Sequence, residues 1–208
     1  YGVKLLVNSD VLIPRPETEL IVEHTLFMGL MGMETAELTI ADVGTGTAAI
    51  AINLALHLPS ANIYAIDLFD SVLDVSSYNI RLHNVADRIA LLKGDLLEPL
   101  PEPVDLIVAN LPYIPRERIS GLQPEIQWEP TEALDGGTDG LELIRRLLEQ
   151  AADPESSRLK DSGIIILELD PDQIPEVTSI TNKLFPAAGI SVELDLAQQE
   201  RIFVVNTG

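Results

Sequence analysis

Cysteine is absent from the 208-residue chain, which rules out disulfides and thiolate-held metal. Histidine is scarce. His24, His57 and His83 are scattered without the spacing of a metal-ligand set, and each reads as a surface or helix-packing residue. Basic residues are few as well, 13 against 33 acidic ones, for a formal charge of −20. Such a surface repels phosphate backbones at long range, which disfavours nucleic acid as a partner, and it keeps the chain soluble. Long apolar runs are missing. The most apolar stretch near the start, residues 25–33, is far too short to span a membrane and follows no basic leader. A soluble, cytoplasmic protein with no membrane partner is expected. The sequence opens on Tyr1 rather than methionine, so the natural protein is expected to continue upstream.

What is present is a chain 46% hydrophobic and long enough for one α/β domain with a sizeable core. Residues 4–8 and 11–13 read as short strands of a hairpin around Asn8-Ser9-Asp10, and Pro14-Arg15-Pro16 ends them. A helix is predicted from about Glu17, with Leu20, Ile21, His24, Phe27, Met28 and Met31 on one face. Strands at 38–43, 62–67, 89–93 and 104–109 then alternate with helices at 48–58 and 71–84. That alternation predicts a doubly wound, mostly parallel sheet. Residues 110–139 carry prolines, glycines and charges with little periodicity, and a loop of that length inside a domain is usually functional. A helix over 141–152, a strand over 163–169, a helix over 173–185 and a closing pair of strands at 190–196 and 201–205 complete the pattern.

Asp42-Val43-Gly44-Thr45-Gly46-Thr47-Ala48 falls where a strand hands over to a helix. Glycine there permits backbone angles closed to other residues and lets a ligand approach the main chain, while free N–H groups face it from the helix start. Asp67 ends the next strand, where a carboxylate can take both hydroxyls of a ribose. The two features together indicate an adenosine-containing ligand. Gly44-Thr45-Gly46-Thr47-Ala48-Ala49 formally fits the alanine version of the dinucleotide fingerprint, whereas the phosphate-cradling loop is excluded because no lysine follows. Asp42 favours S-adenosylmethionine: its sulfonium and ammonium welcome a nearby carboxylate that a pyrophosphate would not. Asp95, after Gly94 at the third strand's end, reads equally as an acceptor for the adenine amine or as a turn residue.

Asn110-Leu111-Pro112-Tyr113 follows the fourth strand at its C-terminal end, where open α/β sheets bind ligands. An amide or aromatic amine is a poor nucleophile because its lone pair is delocalised. The Asn110 side-chain oxygen and a nearby backbone carbonyl can hold the two N–H bonds of such a group, orienting the nitrogen and stabilising the positive charge that grows on it. Tyr113 offers a flat wall for a planar acceptor. Neither a nucleophilic residue nor a metal is required.

These residues resemble the catalytic domain of the HemK-type protein-(glutamine) methyltransferases, which modify peptide chain release factors. Four segments carry the likeness: Val11-Leu12-Ile13-Pro14-Arg15-Pro16-Glu17-Thr18-Glu19, the glycine turn 42–47, the tetrad 110–113, and Glu129-Pro130 through Ala133-Leu134-Asp135-Gly136-Gly137-Thr138-Asp139-Gly140-Leu141. The first and last are the more specific, and the likeness spans essentially the whole chain. It implies a Rossmann-like, seven-stranded methyltransferase fold over residues 37–208, with the predicted hairpin and helix of residues 1–36 leading into it. It implies that Gly44 to Ala48 and Asp67 bind S-adenosylmethionine, that Leu96 lines the adenine pocket, and that Asn110 to Tyr113 hold the glutamine amide. The acceptor glutamine of the family lies in the Gly-Gly-Gln loop of a release factor, and an upstream helical domain, expected to be missing from this chain, helps dock that partner. Leu111 departs from the family, which has proline there. The carbonyl survives the change, but proline's fixed backbone angle is lost.

Other functions remain open on sequence alone. A ribosomal-protein glutamine uses similar motifs, and the exocyclic amine of adenine in DNA or RNA is also a planar N–H donor. No basic, aromatic-studded stretch accompanies the tetrad, where only Arg116 and Arg118 follow. A nicotinamide-dependent oxidoreductase would have no use for the tetrad. A non-catalytic cofactor-binding module has only Leu111 in its favour.

Overall fold

Apolar strands buried on both faces form the centre of the molecule, a computed structural model that describes residues 1–32, 37–156 and 158–208. The strands are β1 (Thr39–Val43), β2 (Asn62–Asp67), β3 (Ile89–Lys93), β4 (Val104–Ala109), β5 (Leu159–Glu168), β6 (Gly189–Leu194) and β7 (Glu200–Asn206). Among the described residues they make one seven-stranded sheet in the order β3-β2-β1-β4-β5-β7-β6. Strands β1 to β5 run parallel, and β7 lies antiparallel between β5 and β6. Side chains alternate across a strand, so each central strand feeds two cores. Ile40, Leu106, Val108, Ile164 and Ile166 face α1 (Glu19–Gly32) and α2 (Ala49–His57). Ala41, Val43, Ile107, Ala109, Ile165 and Leu167 face α5 (Glu142–Ala152) and α6 (Ile174–Leu184). Helix α3 (Asp70–Leu82) adds Ile80 to the first core, and α4 is a single turn at Arg116–Ile119. No helix among the described residues is long and apolar enough to cross a membrane.

The predicted N-terminal hairpin does not form. Residues 4–13 carry no strand pairing, although a turn at Asn8 to Val11 is present. The reason lies in what takes the backbone groups. Leu6 N–H donates to Asn79 Oδ1 at 2.7 Å, and Asn79 Nδ2 donates back to Leu6 O at 3.0 Å. The Lys4 carbonyl meets His83 Nε2 at 2.7 Å. The segment therefore runs extended along α3, its ladder groups satisfied by side chains instead of by itself.

Helix α1 is also turned relative to the sequence pattern. Ile21, Val22 and Thr25 are buried, whereas Phe27 is 61% exposed. Buried Thr18, one turn earlier, is tied to Glu168 at the end of β5, and that anchor sets which face points inward. The side chains of Met28 and Met31 lie outside the described residues. Residues 110–139 are less irregular than the sequence indicates. They hold α4, single 3-10 turns at Ile126–Trp128 and Thr131–Ala133, and a bridge between Ile114 and Asp135.

Candidate active site

Strand order reverses between β1 and β4, and their register pairs Val43 with Ala109. The glycine turn after β1 and the tetrad after β4 therefore emerge side by side, at the crevice where such sheets bind ligands. A cavity of about 500 Å³ opens there. Its walls include Gly44 to Thr47, Asp67, Asp95, Leu96 and Asn110 to Pro112. Leu12, Pro14 and Thr18 close it from the N-terminal segment, and Pro130 and Ala133 from the downstream loop.

In the glycine turn, Gly44 and Gly46 hold φ of 69° and 54°, a region open mainly to glycine. A Cβ on Gly44 would stand 3.0 Å from Leu111 Cδ2, so the bare backbone is also what lets turn and tetrad approach. Thr45 N–H donates to Ile66 O at 2.9 Å, which ties the turn to β2. Asp67 is then positioned by that same turn: Oδ2 accepts from Gly46 N–H at 3.2 Å and Oδ1 from Phe69 N–H at 3.3 Å. Each carboxylate oxygen keeps further acceptor capacity toward the cavity, as two ribose hydroxyls require. Burial raises the Asp67 pKa, and the backbone donors act against that rise. Leu96, at φ 51° and 6% exposed, lines the cavity beside Asp95, whose carboxylate is ion-paired with Arg146. An open glycine turn, a ribose-capable carboxylate and an apolar wall beyond it fit S-adenosylmethionine.

Three predicted site residues, Asp42, Ala48 and Tyr113, are not among the residues lining this cavity. Asp42 is 1% exposed beneath the turn, where Oδ2 accepts from Thr45 Oγ1 at 2.7 Å and from Ala51 N–H at 3.1 Å. Its other oxygen has no hydrogen-bond partner among the described residues. Burial pushes its pKa up to about 6, against the lowering effect of those two donors. Ala48 is fully buried and in the left-handed conformation at the start of α2, so it shapes the turn from within. Tyr113 is half-buried against the core, and its hydroxyl donates to Glu168 Oε1 at 3.3 Å. Burial, then the Glu168 charge, drives the Tyr113 pKa upward, so the phenol stays neutral.

On the acceptor side, Asn110 Nδ2 donates to Thr18 Oγ1 at 2.8 Å and to Glu168 Oε2 at 2.9 Å. With both amide hydrogens committed, the oxygen of the same carboxamide must face the opposite way. Among the described residues it accepts no hydrogen bond, and neither does the Leu111 carbonyl. Thr18 Oγ1 donates to Glu168 Oε2 at 3.0 Å. Glu168 is 2% exposed, and burial raises its pKa while Thr18, Arg201 and Tyr113 favour its charged form. Sequence reasoning missed Thr18 and Glu168 as members of the site. Thr18 stands inside an N-terminal motif where a helix start already accounts for it, and Glu168 is hidden at the end of an apolar strand. The available signal was a lone carboxylate closing the run Ile164-Ile165-Ile166-Leu167-Glu168.

The downstream loop supports the tetrad from outside. Gly136 N–H donates to Ile114 O at 2.9 Å, and, from just ahead of α6, Gln173 Nε2 donates to Tyr113 O at 2.8 Å. A Cβ on Gly136 would fall 2.8 Å from Pro112 O, which explains a glycine there. Arg15 binds the buried Glu129 carboxylate at 2.5 Å and joins the N-terminal segment to this loop. The most specific sequence segments thus meet around one cavity.

Comparison with known proteins agrees with this geometry. The family model of ribosomal protein L11 methyltransferase (PrmA) matches residues 25–127. Among solved structures, a ribosomal protein L11 methylase from Lactobacillus delbrueckii subsp. bulgaricus superposes with a TM-score of 0.62 at 20% identity, covering 93% of this chain and 79% of that one. A methyltransferase from Pyrococcus furiosus gives 0.70 at 16% identity over 100% of this chain and 90% of that one. Both likenesses establish the methyltransferase fold. Sequence relatives go further. The release factor glutamine methyltransferase of Moorella thermoacetica is 40% identical over 95% of this chain and 68% of its own length. That of Gloeobacter violaceus is 37% identical over 97% of this chain and 68% of its own. On that similarity, the chain belongs to the release factor glutamine methyltransferase family.

Proposed function

We propose that this protein transfers a methyl group to the side-chain amide nitrogen of a glutamine in the Gly-Gly-Gln loop of a peptide chain release factor. The observation that carries the reading is Asn110, whose amide hydrogens are both tied back while its oxygen is left for a ligand beside the glycine turn. S-adenosylmethionine, when bound, supplies an electrophilic methyl and leaves as S-adenosylhomocysteine. Gly44 to Thr47, Asp67 and Leu96 are the residues to hold it, with Asp42 and Ala48 acting through the turn and Asp95 at the adenine end.

Asn110 Oδ1 and the Leu111 carbonyl each accept one N–H of the target amide. Two fixed acceptors set the plane of the group and present the nitrogen's face to the methyl. As the N–C bond forms, positive charge builds on nitrogen and both hydrogen bonds strengthen, which is stabilisation specific to the transition state. One N–H proton is then lost to water. Pro112 stiffens the loop, and Tyr113 supports it from behind. Leu111 leaves the acceptor carbonyl in place. Residues 37–208 are the catalytic unit in this reading, residues 1–32 complete its cavity wall, and an upstream helical domain would dock the partner. Release factors act in the cytoplasm, which is where this reading places the protein.

The test is methylation of purified release factor with labelled S-adenosylmethionine, with the modified residue located by mass spectrometry. A methyl on the Gly-Gly-Gln glutamine, abolished by Gln→Ala in the substrate, is expected. The match to ribosomal protein L11 methyltransferases over residues 25–127 makes a ribosomal protein the second acceptor to assay. Methylation there, with the release factor left untouched, would overturn the assignment.

A further inference from the structure

Glu168 belongs to no motif by which the family was identified, yet it accepts three side-chain hydrogen bonds beside the cavity. It is 2% exposed, at the carboxyl end of β5 and directly beside the end of β4, since Ala109 pairs with Leu167. It accepts from Thr18 on the N-terminal segment, from Asn110 in the tetrad and from Tyr113 in the same tetrad. An uncompensated carboxylate at that depth costs several kcal/mol, so a buried one persists only with such donors around it.

We infer that Glu168 is a positioning residue for methyl transfer, which fixes the orientation of the Asn110 carboxamide. A terminal amide has two orientations that differ by exchange of oxygen and nitrogen and nearly coincide in shape. For Asn110 only one of them works, because the target amide brings N–H donors and needs an oxygen to meet them. Glu168 Oε2 offers only acceptor lone pairs at 2.9 Å, so it selects the orientation with Nδ2 inward and Oδ1 toward the cavity. The reversed orientation would set oxygen against oxygen. Thr18 repeats the selection: its hydroxyl hydrogen is spent on Glu168, so its oxygen can only accept from Asn110. The carboxylate thus dictates polarity twice, once directly and once through Thr18.

This inference rests on the proposed acceptor chemistry, and its test separates the two. Glu168→Ala removes both selections, Glu168→Gln keeps an acceptor at the Oε2 position while turning its amine toward Tyr113, and Thr18→Val removes the indirect one. With release factor as substrate, kcat is expected to fall about 100-fold in Glu168→Ala and about 10-fold in Thr18→Val, with cofactor Kd within about twofold of wild type. Glu168→Gln is expected to restore most of the loss. Independently of any substrate, the Asn110 side-chain NH2 resonances of 15N-labelled protein should exchange slowly with solvent in wild type and Glu168→Gln, and rapidly in Glu168→Ala. Unprotected NH2 protons in the wild type would overturn the inference even if methylation succeeds. So would a Glu168→Gln variant no better than Glu168→Ala in kcat. If the release factor is not methylated at all, the acceptor reading fails, while the exchange experiment still decides the role of Glu168.

Discussion

Replacing Asn110 with aspartate changes one atom type and leaves shape alone, so its consequence can be worked from the structure. The introduced carboxylate would place an oxygen where Nδ2 now sits, 2.9 Å from Glu168 Oε2. At an effective dielectric constant near 20, two unit charges at that separation repel by roughly 6 kcal/mol, equivalent to about 4 pKa units. The pair cannot ionise fully at neutral pH and shares one proton, as adjacent carboxylates do. With that proton held between them, the outward oxygen of the new carboxylate still accepts an N–H, and transfer should proceed. When the shared proton is lost as the pH rises, repulsion drives the introduced side chain from its place. The variant should therefore show an alkaline fall in kcat that the wild type lacks, because an asparagine does not titrate.

The assay is the initial rate of methyl transfer to release factor between pH 6 and 9 at saturating cofactor. Adding Glu168→Gln to Asn110→Asp restores a single charge and a donor–acceptor pair, so the alkaline fall should vanish in the double variant. A pH profile for Asn110→Asp parallel to wild type would refute the contact between these side chains. A fall that persists in the double variant would assign it to another group.

Further expectations can be checked separately. Asp67→Ala should weaken S-adenosylmethionine binding by on the order of 100- to 10,000-fold in a calorimetric titration, from the loss of two charge-assisted hydrogen bonds worth roughly 1.5–3 kcal/mol each; unchanged Kd would remove Asp67 from the ribose site. Gly44→Ala combines a φ of 69° with a Cβ 3.0 Å from Leu111 Cδ2, so it should lower stability by roughly 1–2 kcal/mol. Leu111 is itself buried, so the contact part of that loss is read as the coupling energy of a double-mutant cycle with Leu111→Ala, measured against the cost of Leu111→Ala alone. Asp42 supplies a pH signature. Its folded pKa of about 6 lies above the ordinary value of 3.8, so its contribution favours the fold below pH 4 and is lost as pH rises through 6. The cost at neutral pH is on the order of 3 kcal/mol. The melting-temperature advantage of Asp42→Asn over wild type should accordingly grow between pH 4 and 7, and a constant difference would show that Asp42 ionises normally.

The strands were legible because both faces of the sheet are buried. Runs such as Val104 to Ala109 are apolar at every position but one, and their limits coincide with the observed strand. The glycine turn and tetrad were legible because each is a local motif whose residue types follow from backbone angles or from hydrogen-bond chemistry. What failed was whatever a distant side chain decides. Residues 4–8 have strand composition, yet Asn79 and His83 claim their backbone groups. The tie of the Tyr113 hydroxyl to Glu168 is set in the same way, by a residue 55 positions away.

The same rule explains why the orientation of Asn110 could not be read from its tetrad. The motif specifies a carboxamide, but a carboxamide is nearly symmetric in shape, and only its surroundings decide which end is oxygen. Those surroundings come from Thr18, 92 residues earlier, and Glu168, 58 residues later. Neither is close in sequence, and each has an ordinary local explanation: Thr18 starts a helix, and Glu168 ends a strand. Folding brings them together because β4 and β5 are adjacent and parallel, and because α1 packs on the sheet beside them. A motif can thus name the reacting group while the fold supplies its polarity, and substitutions at Thr18 or Glu168 should alter turnover with every residue of the tetrad intact.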